Sequence, residues 1–477
     1  MRLRAAYGLL AVLWLALVLP HIGARYSYDW DSSQFERGIE HFDIARHQPH
    51  PPGYPLWILT LRGLAPLVGG GIAAQVVLAM VFTIAALIFF RALATGLLGE
   101  MAGLAATAAL AFSPLVLLHA MTPLLYAVDL FASCAIGWFA ARFWEGDTRW
   151  ETLAFALAAV TAGFRPSGVT FLLPLLLVAR WRAGADWRLL RDIGIYLVCG
   201  LAWYVPTALL SGGFAALSKL NRDEMIASFR TTSIIFGAPG YIHAHMAIDV
   251  CIFFALALVG LALPVAICIQ RKRAAIGATP LCFALWLAPN LAVVYLMHCG
   301  QPGYILLSVP PLVLLAASYA LPALRDLRWT AAIIAVSLGA GYFPYERFIN
   351  PAVPTAVYQV LRSSPRMPGL LEDSQRRIRC LIDALPGPPD QKLIVCFRQR
   401  SEAPNIRTVT EEYPDVYWAE YSAQGLRVYA PHGGEVSNHW PREVSAVAWL
   451  CNGAGPPPAF HGRRVDGNRL FSLWLPD

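Results

Sequence analysis

The chain has 477 residues, 57% of them hydrophobic and 14% charged, with a formal net charge of +7 and a mean hydropathy of +0.52. Soluble domains carry about 25% charged residues, so this composition excludes an ordinary water-soluble protein. The basic residues collect in short segments between apolar runs, which excludes a nucleic-acid footprint as the source of the charge and matches the loop bias of a polytopic membrane protein.

In chain order, the first apolar run is Ala5 to Leu19, behind Arg2 and Arg4. It has the charged start and apolar middle of a secretory signal, with Ile22-Gly-Ala24 as a tolerable cleavage site, but retention as a first helix is the expectation. With Arg4–Ile22 as the first, further spans are predicted over Ile72–Thr95, Met101–His119, Leu124–Phe143, Glu151–Phe164, Gly168–Ala179, Asp192–Ser211, Ala247–Gln270, Thr279–His298, Gly303–Leu321 and Trp329–Tyr345. About eleven crossings result, and each satisfies its backbone polar groups as a helix. That number places the basic segments Arg142–Arg149, Arg180–Arg191, Arg271-Lys-Arg273 and Arg325–Arg328 together on the cytoplasmic side. Pro55–Gly69 is apolar enough to cross as well, but counting it would put the later helices out of step with those loops. An interfacial or re-entrant helix at the outer surface, residues 54–69, is predicted instead.

The outer side then collects the first loop (residues 23–52), the turn Ser113–Asp129, the tip at Arg165, the loop Gly212–Met246 and the return His298–Tyr304. After Tyr345, Pro, Arg, Asp and Glu become frequent and a second domain begins near Asn350, so the bounds are drawn at 1–346 and 347–477. In it, Leu393–Phe397, Leu426–Tyr429, Ala446–Trp449 and Leu470–Trp474 read as strands, Asp466-Gly467-Asn468 as a hairpin turn and Leu371–Leu385 as an amphipathic helix. The expected architecture is an α-helical polytopic membrane domain followed by a small extracytoplasmic α+β domain.

Cys134, Cys199, Cys251, Cys268 and Cys282 lie in apolar runs; Cys380, Cys396 and Cys451 lie in the tail without CxxC spacing, which argues against zinc and leaves one tail disulfide open. His41, His47 and His50 with Asp43 leave room for a divalent cation, but spacings of six and three match no metal-ligand pattern, so no metal or other cofactor is assigned.

The polar residues of the outer side carry the functional reading. In Tyr28-Asp-Trp-Asp-Ser-Ser-Gln-Phe35, Asp29 and Asp31 stand either as helix-capping acids or as reactive carboxylates among interface-seeking aromatics. His50-Pro-Pro-Gly-Tyr-Pro-Leu56 is stiffened by its prolines, while Gly53 permits close approach. Arg165 is an intramembrane charge that needs a partner, and a lipid phosphate suits its two-point donor edge. Asp129, three residues after Tyr126, is either a second acid of the site or the partner of an arginine. Lys219, Arg222 and Arg230 with Asp223 and Glu224 suggest an amphipathic surface helix, and the tail tryptophans Trp418, Trp440, Trp449 and Trp474 serve either as core or as sugar-stacking platforms.

Asp31, His50-Pro-Pro-Gly-Tyr-Pro-Leu56, Ser113-Pro114 leading to Tyr126, Gly163-Phe-Arg-Pro-Ser167 and Gly300-Gln-Pro-Gly-Tyr304 together resemble the GT-C glycosyltransferases, in the branch of protein O-mannosyltransferases and lipid A aminoarabinose transferases, particularly their bacterial HPPGYP-bearing relatives. The resemblance covers roughly residues 1–345 and is most specific in the first loop. It implies a polyprenyl-phosphate-linked sugar as donor, a protein, lipid or glycan hydroxyl as acceptor, and inverting transfer on the extracytoplasmic face of a bacterial inner membrane. Many relatives carry Asp-Glu in the first loop where this chain has Asp31-Ser32, and Glu near the position of Thr122.

Within that frame Asp31 takes the acceptor proton, with Asp29 in reserve, and Arg165, His50, Tyr54, Gln301 and Tyr304 bind the donor phosphate. The ordinary carboxyl pKa of about 3.9 makes an aspartate a weak base, so its proton moves late or its surroundings raise that value. The rival from another class is a lipid or ion transporter or flippase, which places ionisable groups near the midplane and shows repeated halves; here the acids cluster at one face and no repeat is visible.

Overall fold

The computed structural model describes residues 2–268, 280–344, 360, 362–397, 410, 412–422, 425–431, 436–451, 461–467 and 472–476. Gln270, Arg271-Lys-Arg273, Thr279, Tyr345, Asn350, Asn468 and Leu470, each given a place above, lie outside the described residues. The chain divides into two units: residues 1–23, 34–343 and 363–365 form one, and residues 24–33, 344–362 and 366–477 form the other.

Among the described residues, the first unit is built of helices. Its elements are α1 (Arg2–Val18), α2 (Trp30–Glu40, whose first residues belong to the other unit), α3 (Pro55–Val68), α4 (Gly71–Leu98), α5 (Glu100–Ala111), α6 (Pro114–Met121), α7 (Ala127–Trp144), α8 (Glu151–Phe164), α9 (Pro166–Ala183), α10 (Trp187–Leu210), α11 (Phe214–Thr232), α12 (Gly240–Cys268), α13 (Pro280–Leu296), α14 (Val309–Tyr319) and α15 (Leu327–Gly341). Every predicted span falls on one of these helices or on a consecutive pair. Among the described residues, four are single helices long and apolar enough to cross a bilayer, and the α5–α6 pair, bent by 55°, makes a fifth; the other expected crossings fall on shorter or charge-bearing helices. The chain is therefore an integral membrane protein by composition and by helix length.

Two corrections concern local structure. The first outer loop is not loop throughout: α2 occupies its middle, a polar helix without the apolar run that marked the others. Met101–His119 is not one straight helix either, because Pro114 lacks an N–H and opens a new helix at a bend. The Ala111 carbonyl near that break accepts the Trp14 indole N–H of α1 at 3.0 Å, and Leu10, Trp14 and Val18 pack against Leu104, Ala108, Phe112 and Leu117.

At their far ends α8, α9 and α10 are joined by charge. Arg180, 1% exposed, contacts Glu151 at 2.8 Å and Asp186 at 2.9 Å, while Arg191 contacts Glu151 and Asp192 at 2.8 Å each. Paired and hydrogen-bonded in this way, the buried charges are tolerated; stripped of one partner they are not.

The second unit is a mixed sheet of β1 (Lys392–Phe397), β2 (Tyr417–Ser422), β3 (Gly425–Tyr429), β4 (Val436–Ser437), β5 (Ala446–Cys451), β6 (Gly462–Gly467) and β7 (Ser472–Pro476), in the order β4-β3-β2-β1-β5-β7-β6. β1 is central and parallel to both β2 and β5; the remaining pairs are antiparallel. The predicted strands correspond to β1, β3, β5 and β7, whereas β2, β4 and β6 were not foreseen. The turn assigned to Asp466 and Gly467 is displaced, because both are still paired residues of β6.

Side-chain alternation along β1 feeds two clusters, Ile394 and Cys396 on one face, Leu393, Val395 and Phe397 on the other. The first face is covered by α16 (Met367–Ala384), whose Ile378, Leu381 and Ile382 recur at helical spacing. Trp418 and Trp449 are core residues, Trp474 is partly buried against the second cluster and Trp440 is exposed. The tail disulfide does not form, and all nine cysteines are free. Cys451 pairs in register with Phe397, one residue past Cys396 on the parallel neighbour, so the two thiols belong to opposite faces of the sheet.

Ile378→Ala should cost about 2–5 kcal/mol by opening a cavity under the sheet. The measurement is thermal unfolding of the detergent-solubilised protein combined with proteolytic susceptibility of the C-terminal unit.

Candidate functional site

The reactive residues of the helical unit meet where two helices are interrupted. α8 stops at Phe164, Arg165 is extended (φ −152°, ψ 97°), and Pro166 opens α9. A residue before proline is driven out of the helical region, so the Arg-Pro pair ends one helix and starts the next. The Arg165 side chain, 7% exposed, donates through Nε to Asp129 Oδ2 at 2.6 Å; that carboxylate, in the first turn of α7, is 3% exposed. Of the two roles open to Asp129, the structure shows the arginine partner.

Two aromatic rings complete the setting of the guanidinium. Arg165 Cζ lies 4.4 Å from the Tyr126 ring centre and 5.6 Å from that of Tyr304, and the rings are 5.5 Å apart. A cation over aromatic faces is held by the ring quadrupole without using its N–H groups. Among the described residues, Arg165's hydrogen bonding to protein is through Nε alone, which leaves both Nη groups as donors for another acceptor. Tyr54 is a further electrostatic neighbour.

The other carboxylate oxygen, Asp129 Oδ1, rests against Gly168 in the first turn of α9, where an added Cβ would come within 2.1 Å of it. The positive end of the α9 dipole thus faces the carboxylate, and only a hydrogen side chain leaves it room.

Supporting contacts fix the rings. Asn290 Nδ2 donates to the Tyr304 carbonyl at 3.2 Å, and Ser308 Oγ donates to Asn290 Oδ1 at 2.7 Å. His298 stands edge-on to Tyr304 at 5.5 Å, with Nδ1 2.9 Å from Thr232 Oγ1, and His119 stands edge-on to Tyr126 at 5.3 Å. Gln301 precedes the 3-10 turn Pro302–Ile305 and its carbonyl accepts the Tyr304 N–H at 3.2 Å.

The HPPGYP motif forms a compact knot in the same unit. His50 Nδ1 donates to Gln34 Oε1 at 2.8 Å, and Nε2 accepts from the Tyr54 hydroxyl at 3.0 Å. Gly53 has a φ of +98°, and a Cβ there would fall 2.3 Å from Ile44 Cδ1, so both backbone and space require glycine. Tyr54 and Trp57 pack with Phe35, Leu125 and Val128, and Phe164 lies against this cluster, which draws the motif to the start of α7 and the end of α8.

Arg165, Asp129, Tyr304 and Tyr54 are therefore gathered, with His50 behind Tyr54 and Gln301 behind Tyr304. Asp29 and Asp31 belong to the other unit. Asp29 closes the start of α2: its Oδ1 accepts the Ser32 N–H at 3.3 Å, and Ser32 Oγ accepts the Asp29 N–H at 3.0 Å. Asp31 follows in the first turn, half-buried.

Asp43, His47 and His50 have separate employments, and His41 is exposed. Asp43 caps the turn Ile44–Arg46, His47 ends that turn in the left-handed region and His50 holds Tyr54. Among the described residues no three His, Cys, Asp or Glu side chains converge as a metal would require. Tyr126, His119, His298 and Asn290 were not singled out as site residues. The available signals were polar or ring residues inside apolar runs, and for Tyr126 its position three residues before Asp129.

No protein-family model and no curated protein matches the sequence. Two solved structures are similar along nearly the whole chain. ArnT from Cupriavidus metallidurans bound to undecaprenyl phosphate is 14% identical with a TM-score of 0.56, covering 98% of this chain and 97% of its own. The same protein in the apo state is 13% identical with a TM-score of 0.58, covering 99% and 98%. At such identity the likeness concerns the fold: the chain is ArnT-like in fold along nearly its whole length, where the resemblance of its motifs covered roughly residues 1–345.

Asp129→Asn should leave Arg165 buried without a counter-charge and cost about 3–5 kcal/mol. The double replacement Asp129→Leu with Arg165→Met should recover much of the loss, and a thermal-unfolding double-mutant cycle in detergent measures the coupling.

Proposed function

We propose that this protein is a glycosyltransferase that moves a sugar from a polyprenyl-phosphate carrier to a hydroxyl acceptor at the extracytoplasmic face of a bacterial inner membrane. Residues 1–346, apart from the stretch 24–33 that clusters with the C-terminal unit, form its GT-C-like catalytic domain, and residues 347–477 an extracytoplasmic α+β domain. The observation that carries this is the Arg165 guanidinium, buried, fixed through Nε by Asp129, flanked by Tyr126 and Tyr304, and hydrogen-bonded to protein at no Nη group among the described residues. A planar edge of N–H donors in an apolar setting is matched to a phosphate diester or monoester. The fold it shares with a protein crystallised with undecaprenyl phosphate supports the donor class.

The chemistry asks little more of the protein. The acceptor oxygen attacks the anomeric carbon as the bond from that carbon to the phosphate oxygen breaks, so one displacement inverts the centre and polyprenyl phosphate departs with the electron pair. Arg165 stabilises the negative charge that grows on the phosphate. His50 orients Tyr54 beside it, and Gln301 and Tyr304 complete the donor contacts. The acceptor proton passes to a first-loop carboxylate. Asp31, in the first turn of α2, is the base, with Asp29 in reserve.

With lipid-linked sugars as donors, Asp31→Asn should keep donor binding and lose transfer by about 10²–10⁴-fold. Arg165→Lys should weaken donor binding, because a point charge replaces a two-point edge. Unchanged transfer by Asp31→Asn would move the base elsewhere, and no turnover by wild type with any polyprenyl-linked sugar would favour the transporter. Thiol labelling of Asp31→Cys from outside the cell checks the orientation.

A further inference from the structure

The segment that carries Asp29 and Asp31 is tied to residues far along the chain. Residues 24–33 cluster with the C-terminal unit, and their buried polar groups find partners there. Ser27 is 1% exposed; its N–H donates to Glu412 Oε1 at 3.2 Å and its carbonyl accepts from Gln375 Nε2 at 3.0 Å. Six residues on, Ser33 Oγ reaches the same Glu412 oxygen at 3.4 Å and the Ser27 hydroxyl at 2.9 Å. Between these points the Tyr28 hydroxyl donates to the Arg362 carbonyl at 3.1 Å.

Glu412 thus gathers both ends of the stretch Ser27–Ser33, with the two acids between them. A buried peptide group must be hydrogen-bonded somewhere, and here both the donor and the acceptor of Ser27 are satisfied by side chains more than 300 positions away in the sequence. Gln375 is itself fixed, since it is 2% exposed and its carbonyl accepts the Tyr413 hydroxyl at 2.7 Å. Burial pushes the Glu412 carboxyl above its ordinary range, while the hydrogen bonds from Ser27 and Ser33 pull it back.

We propose that Glu412 and Gln375 are positioning residues for the first-loop acids, and that this grip is the contribution of the C-terminal unit to catalysis. The inference rests on the transferase assignment for its catalytic part only; the grip itself is independent of it.

The test uses the purified full-length protein. Hydrogen exchange across residues 24–33 should quicken about tenfold in Glu412→Ala, because a charge-assisted bond to the Ser27 amide is lost. Glu412→Gln, which keeps an oxygen at the same place, should restore protection, and Gln375→Leu should show a smaller effect in the same direction. In transfer assays Glu412→Ala should lower kcat by about 10- to 100-fold with the donor KM little changed, as expected for a misplaced base, and Glu412→Gln should recover it. Unchanged exchange in Glu412→Ala overturns the grip; quickened exchange with undiminished kcat overturns its catalytic purpose. If wild type turns over no lipid-linked sugar, the transferase assignment falls while the exchange measurements still decide the grip.

Discussion

One guanidinium and one carboxylate facing each other inside an apolar bundle set the arrangement of everything around them. Taking either charge out of water is costly, and their attraction offsets that cost only at close range and good geometry. The Arg165–Asp129 contact therefore demands that the start of α7 and the break between α8 and α9 stay in register. Tyr126 and Tyr304 can lie over the guanidinium only because that register holds. Gly168 shows how tight the demand is, since the space for the carboxylate is taken from a side chain.

The same pair defines the boundary of what could be read from the chain alone. A lone arginine in apolar surroundings announces that it needs a partner, but not which. Asp129 is 36 residues away on another helix, and no local rule links the two. The long apolar helices were legible because bilayer-length hydrophobicity is a strong one-dimensional signal. The polar helix α2 was not, having no such run, and neither were β4 and β6. β4 is two residues long, and β6, Gly-Arg-Arg-Val-Asp-Gly at the sheet edge, exposes most of its charged residues and so lacks an apolar alternation. The first-loop acids were visible as unusual residues, yet the side chains bonded to the backbone of their segment, Glu412 and Gln375, carry no motif.

In the C-terminal unit, strand register separates chemistry as well as packing. Parallel pairing of β1 with β5 sends Cys396 and Cys451 to opposite faces, although spacing along the chain could not distinguish them as partners or strangers. The helix α16 was recognisable by its apolar stripe, which lies on the face that holds Cys396. Gln375, on that same helix, carries an amide that no periodicity argument would have noticed and that fixes the backbone of Ser27.

The bend between α5 and α6 bears on the fate of the amino terminus. Excising the first two dozen residues, as a leader peptidase would, strips the indole from the Ala111 carbonyl and uncovers the flanks of Leu104 and Phe112. An orphaned carbonyl in hydrocarbon has no water to turn to. Packed in this way, α1 contributes one side of the helical unit, and its indole keeps that carbonyl satisfied.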